Sequence, residues 1–471
     1  MNKTAPVVAL SLLTALTFLT ALTACTFGGK ATPSQATLIT RIDSFVRERM
    51  SAGKLPGLSL IVVKDGEVRY SKGYGFATLE YHIAMTDRTR IGIGSTTKGM
   101  TALAVMQLVE QGRLKLDIPV VTYVPWFQVN DPNSGSITLR HLLTHSSGLP
   151  TSTNFDGNRN PNALEQHVRS LVSTKLHRVP GSGFEYANDG YAVAGLVVQV
   201  VSKMPYAEYM TKFVFAPLGM TDATFDQSKA EREGMTQGYV KERGRFVPRP
   251  MLVSQGDAPA GALLTSARDV GRYLNALLNG GQAVISPDSI AELWRPQIKM
   301  DHGGKYGLGW VNLRFGELEV LTHDGSVIVS GSTFVVVPSQ RLGVAVLTNF
   351  ATDHTNEIAK GIATLLLGGK PEPSTVPVER GPTEFKPDPA SWQGYVGAYE
   401  TRMGLVRVYV EGGKLLGKAV DLPFELEAYG DNDFVLRGEV GTLEGHGVSF
   451  MRDAENRITL LLDGQPFGQR Q

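Results

Sequence analysis

The sequence predicts an α/β chain of the α+β kind: an antiparallel sheet flanked by helices, a mostly helical subdomain between its strands, and a small C-terminal all-β barrel. Three observations carry this reading. A helical pattern followed at once by a hairpin signal opens the chain, strand-like runs return only near residue 306, and prolines crowd the stretch before a series of short alternating apolar runs. At 471 residues the chain exceeds the usual single core, so one large and one smaller domain are expected. Hydrophobic and charged fractions of 42% and 19% are those of a soluble globular protein. The balance of 46 basic against 45 acidic residues leaves no electrostatic footprint for nucleic acid.

Residues 1–24 carry Lys3, an apolar run over 7–22, and Leu22-Thr23-Ala24 just before Cys25. This resembles a bacterial lipoprotein signal, which implies cleavage before Cys25, lipidation of that residue, and a membrane-anchored protein of the cell envelope facing periplasm or exterior. The alternative is an ordinary secretory signal with a bystander cysteine. Cys25 is the single cysteine, so no internal disulfide can form. Residues 25–35 are small and polar, a tether. A helical pattern follows over 36–50, then strand-like runs over 58–63 and 68–74 around Asp65-Gly66, a strong turn former. Helices are expected from Thr96 towards Gly112, over 191–202, over 266–278 and over 356–367, with strands at 306–311, 319–322, 331–337 and 342–348. Strands at both ends with helices between imply a sheet completed by distant segments. The larger domain is thus placed at 36–368, a stiff proline-rich linker at 369–390, and the β unit at 391–471.

Chemistry is concentrated in Gly92-Ile93-Gly94-Ser95-Thr96-Thr97-Lys98, where a serine and a lysine lie three residues apart at the start of a long apolar helix. Residues at that spacing share a helix face, so the Lys98 amine can meet the Ser95 hydroxyl. A desolvated lysine whose pKa falls by roughly 3 units serves as the base that a serine nucleophile needs. The motif alone is weak: Ser51-Ala52-Gly53-Lys54 repeats it at a helix end with no assignable role. Two further boxes give it context, Tyr186-Ala187-Asn188 ahead of a helix and His323-Asp324-Gly325-Ser326 between two strand runs. His141 and His145 have the i, i+4 spacing of a metal pair but lack the glutamate of H-E-x-x-H, so structural hydrogen bonding is expected there and no metal.

With these boxes in place the sequence resembles the serine β-lactamase and penicillin-binding-protein superfamily, in the branch holding class C β-lactamases, D-aminopeptidases, DD-carboxypeptidases and related esterases. The strings ITLRHLLTHSSGLP, PLGM, AGALLTSARDVGRYL and YGLGW extend the likeness over roughly residues 36–367. The resemblance implies that Ser95 forms an acyl ester, that Lys98 and Tyr186 share the base and acid work, and that Asn188 hydrogen-bonds lysine or substrate. It further implies an oxyanion held by the backbone amides of Ser95 and Ser326, with His323 and Gly325 lining the substrate, and no cofactor. Where β-lactamases and carboxypeptidases of this superfamily usually carry Lys-Thr-Gly, this chain has His323-Asp324-Gly325, which weakens the case for penicillins or D-Ala-D-Ala termini and favours a small ester or a D-amino-acid-containing peptide. A β-lactamase or DD-carboxypeptidase, and a cell-wall binding module or sensor without turnover, stay open as alternatives. The tail, opening Tyr395-Val396-Gly397-Ala398-Tyr399, is similar to the lipocalin-like β domain of some relatives. The expected partners are a small-molecule ester or peptide and, through Cys25, a membrane; a monomer is expected.

Overall fold

The computed structural model describes residues 35–150, 157–242, 245–282, 284–300, 303–352, 354–372, 388–401, 404–419, 422–428, 433–438, 447–452, 458–462 and 465–470. The expected signal, Cys25 and most of the tether, together with residues 373–387 of the expected linker, lie outside the described residues.

After helix α1 (Gln35–Ala52), strands β1 (Gly57–Lys64), β2 (Glu67–Thr78) and β3 (Ile83–Ala84) begin a nine-stranded sheet. Its remaining strands come from far along the chain: β4 (Ile298–Lys299), β5 (Lys305–Tyr306), β6 (Val311–Phe315), β7 (Leu318–Val327), β8 (Ser330–Val337) and β9 (Leu342–Thr348). The order is β3-β2-β1-β9-β8-β7-β6-β5-β4, and β1 pairs antiparallel with β9, Leu60 facing Val346. The two ends of this larger unit therefore close one sheet. Central strands are buried on both faces, which explains their continuous apolar runs. Alternate residues feed two cores: Leu58, Leu60 and Val62 join one cluster with α1 and helix α7 (His354–Leu366), while Ile61 and Val63 join the other.

That second core holds helices α2 (Thr97–Glu110), α3 (Ala163–Ser170), α4 (Asn188–Ser202), α5 (Ala267–Leu278) and α6 (Pro287–Trp294). Among them α2 is buried nearly throughout, as a helix apolar on all sides requires. Ser266 caps α5 by accepting from the Asp269 amide.

Two local expectations are corrected. The run at 306–311 is no continuous strand, because the Gly307 amide donates to the Trp310 carbonyl and turns the chain between β5 and β6. The His323 box lies inside β7 rather than between strands, since β7 continues to Val327 while pairing with β8.

The C-terminal strands, from Gly397–Thr401 to Gln465–Arg470, form a closed antiparallel barrel. Its interior is filled by Trp392, Tyr399, Phe424, Phe434 and Phe450, with Tyr395 stacked on Phe450 at 4.4 Å. The closing strand Gln465–Arg470 was not anticipated. Pro466 hides it from apolar alternation and sits where its register with the neighbouring strand slips.

Candidate active site

Ser95 sits in a single 3-10 turn, Gly94–Thr96, that leads into α2. The turn is stitched to the sheet by hydroxyls of β8: Ser330 donates to the Gly92 carbonyl at 2.6 Å and Ser332 to the Ile93 carbonyl at 2.7 Å. Strand β7 passes it backbone to backbone. A Cβ on Gly325 would lie 2.0 Å from the Ile93 oxygen, and one on Gly94, held at φ +53°, would lie 2.6 Å from the Ser326 nitrogen. Both glycines thus let the Ser95 and Ser326 backbones approach one another. Pairing between β6 and β7 ends at Thr322, so the edge of His323–Val327 away from β8 faces this turn instead of another strand.

Lys98, in the first turn of α2, is fully buried. Its Nζ lies 3.0 Å from Ser95 Oγ, 2.6 Å from Asn188 Oδ1 and 2.8 Å from the Ala260 carbonyl. Burial lowers its pKa from 10.5 to about 7, with Asp257 pulling the other way. The partner set decides what a neutral amine does there. It has two N–H donors and one lone pair, and Asn188 Oδ1 and the Ala260 carbonyl can only accept. The lone pair is left for Ser95, the one partner with a proton to give.

Tyr186, on the extended segment before α4, completes the group by a hydrogen bond with the Ser95 hydroxyl. Burial raises the phenol above its ordinary pKa, and the bond to Ser95 draws it partly back. The Lys98 Nζ lies 4.9 Å from the Tyr186 ring centroid. Four residues picked from separate strings of sequence, Ser95, Lys98, Tyr186 and Asn188, are therefore brought together.

His323 is buried, and both its ring nitrogens are engaged. Nδ1 lies 2.7 Å from the Asp324 carbonyl, so it donates; Nε2 then accepts from the Tyr306 hydroxyl at 2.8 Å. Burial, with Lys98 nearby, lowers its pKa to about 3, so the ring is neutral. The Asp324 carboxylate turns aside, accepting from Thr333 Oγ1 at 2.6 Å and from the Asn356 amide at 2.7 Å.

The expectation for His141 and His145 was structural hydrogen bonding, and they make it. The His141 ring accepts from the Thr138 amide in a capping box, and His145 Nδ1 accepts from the Ala187 amide at 3.0 Å. The sequence did not show that His145 backs the site. Its ring packs 4.1 Å from Tyr186, 5.1 Å from Tyr191 and 4.9 Å from Tyr306, and burial keeps it neutral. Its place inside ITLRHLLTHSSGLP was the available signal. Also missed were the Ala260 carbonyl and a cluster behind the lysine, His167, Asp189 and Asp257, with one ring nitrogen and one oxygen of each carboxylate lying within 4.8 Å of one another.

The "Beta-lactamase" family model matches residues 42–368, well over half of the chain. Protein flp from Staphylococcus aureus (strain MRSA252) is 28% identical over 341 residues, 70% of this chain and 66% of that protein, so the chain spans about two thirds of this relative's length. The putative penicillin-binding protein PbpX of Bacillus subtilis (strain 168) is 28% identical over 296 residues, 61% of this chain and 72% of PbpX. In structure, the octameric penicillin-binding protein homologue from Pyrococcus abyssi superposes with a TM-score of 0.64 at 28% identity, covering 92% of this chain and 100% of that one. With the family model spanning the sheet, its helices and the Ser95 turn, the chain belongs to the β-lactamase family, alongside penicillin-binding-protein homologues.

Proposed function

We propose that the protein is a serine hydrolase that forms an acyl-enzyme on Ser95 and cleaves a small ester or a D-amino-acid-containing peptide or amide. The observation that carries this reading is the Lys98 amine, buried, close to half neutral near pH 7, and left with Ser95 as its one proton-giving partner. As Ser95 Oγ attacks the acyl carbon, its proton passes to Lys98 Nζ. Tyr186, kept protonated by burial, donates to the leaving group and regains a proton from the Lys98 ammonium. Water then attacks the ester carbon, and its proton returns through the same pair to Ser95 as the acid leaves. The backbone amides of Ser95 and Ser326 are proposed to hold the oxyanion, each worth about 3 kcal/mol.

The substrate class follows from His323. A neutral, doubly engaged imidazole offers a substrate carboxylate no cation at this position, which favours acyl donors that do not depend on one. The stretch of β7 beyond Thr322, which β6 does not pair, supports a short peptide or amide lying along it beside the Ser95 turn. The test is a screen of purified protein against p-nitrophenyl esters, D-amino amides and nitrocefin, with intact mass recorded for acylated Ser95. Turnover lost in Ser95→Ala is expected. Folded wild-type protein that neither turns over any of these nor reacts with a fluorophosphonate would overturn the reading.

We also propose envelope localisation through lipid on Cys25; among the described residues no helix is long and apolar enough to cross a membrane. Loss of membrane-fraction protein in Cys25→Ser is the expected result.

A further inference from the structure

The two carbonyls that hold Lys98 come from different segments. Asn188 opens α4, and Ala260 lies in the short helix Ala258–Gly261 that follows the turn Gln255–Asp257. Each segment also carries a carboxylate directed at one imidazole. His167 Nε2, on α3, lies 2.8 Å from Asp189 Oδ1, the residue after Asn188, and 3.7 Å from Asp257 Oδ1, three residues before Ala260. Asp189 and Asp257 side chains are 5% and 13% exposed, so their mutual repulsion is poorly screened by solvent. A cation between them offsets it, and the His167 ring is the group placed to carry that charge.

We propose that His167 is a positioning residue for Lys98, its imidazolium stapling Asp189 to Asp257 and so holding together the two segments whose carbonyls fix the amine. The proposal rests on Lys98 acting as the base of the Ser95 site, and it extends that site to a residue on α3. Among the described residues, the carboxylates that pair with the His167 ring are Asp189 from α4 and Asp257 from the following turn; Glu165 and Arg169 on its own helix pair with each other at 2.6 Å. Asp257 in turn acts on Lys98, favouring its charged form. The staple therefore shares out the charge of Asp257. With the imidazolium present, part of that field is spent on His167; without it, all of it falls on the lysine.

Opposite signs test this. Lys98 is followed by NMR titration of protein carrying ε-13C lysine, its signal assigned by its absence in Lys98→Arg, and Ser95 reactivity by the pH dependence of fluorophosphonate labelling. In His167→Gln the Lys98 midpoint rises by about 1 pH unit, labelling at neutral pH drops about fivefold, and raising the pH restores it. In Asp257→Asn, which removes the carboxylate isosterically, the midpoint falls. A structural role alone would lower the melting temperature of both variants and give no rescue by pH. Midpoints that stay put, or that move in the same direction in both variants, overturn the proposal. Wild-type protein that does not label at Ser95 counts against the acyl-enzyme reading alone, because the NMR arm judges the staple without any reaction at Ser95.

Discussion

The nine-stranded sheet unit and the C-terminal barrel solve the same problem, hiding apolar strand faces, in opposite ways. The sheet is closed by segments almost 300 residues apart, β1 on β9, and its interior carries Lys98, His145, Asp189, Asp269 and His323 alongside its aliphatic core. In the barrel each strand pairs with the next, and among the described residues its buried polar side chains are Thr401 and Thr459, with the Tyr399 hydroxyl given to the Tyr395 carbonyl. Buried titratable groups are costly unless partnered. Among the described residues, buried carboxylates, lysines and histidines are confined to the sheet unit, so that is where desolvation can shift their proton affinities.

The hardest blow to this contrast falls on the sheet unit. Ser95→Ala is expected to lower ester turnover roughly 10^4-fold or more with little change in melting temperature, since the side chain is small and partly exposed. A rate within tenfold of wild type would mean that another group is the nucleophile. Next comes Tyr186→Phe, which keeps the ring against His145 but removes the hydroxyl bonded to Ser95. A loss of about 10^2 to 10^4 in kcat, with KM nearly unchanged, is expected from steady-state kinetics. An equal rise in KM with kcat intact would assign the phenol to binding.

In the barrel the expected losses are in stability. Phe434 is fully buried and edge-on to both Trp392 and Phe450. Phe434→Ala should cost the barrel about 3–5 kcal/mol, seen as an earlier calorimetric transition, while the rate of fluorophosphonate labelling at Ser95 stays at the wild-type value. Labelling that falls together with barrel stability would erase the distinction between the units.

The same contrast explains what could be read from sequence. Ser95 with Lys98, and Tyr186 with Asn188, are side chains a few residues apart, so their spacing was visible; their meeting follows once the sheet brings the segments together. The Ala260 carbonyl left no trace, because a backbone acceptor has no side-chain signature. His167 and Asp257 are 90 positions apart, and nothing local relates an imidazole on one helix to a carboxylate on a later turn. His145 was visible as one half of a histidine pair, yet its packing against three tyrosines exists only in the fold. The engagement of His323 was similarly hidden, since Tyr306 reaches it from another strand. In the barrel the loss was of a different kind: Pro466 removed the alternation by which a strand is recognised.

The smallest expected effect tests the sheet unit's burial of charge without any substrate. Lys98 releases its proton near pH 7 when folded and near 10.5 when free, so within that window the unfolded chain binds one more proton than the folded one. Stability then rises with pH, by about 1.4 kcal/mol per pH unit from this group. Lys98→Met keeps the apolar stem and removes the titration. Urea denaturation of the two proteins between about pH 7.5 and pH 9.5 should therefore show the wild type gaining on the variant by that slope, with all other titrations cancelling in the difference. Parallel stability curves would mean that the amine keeps its charge inside the fold, which removes the lone pair from Ser95 and with it the base on which the acyl-transfer reading depends.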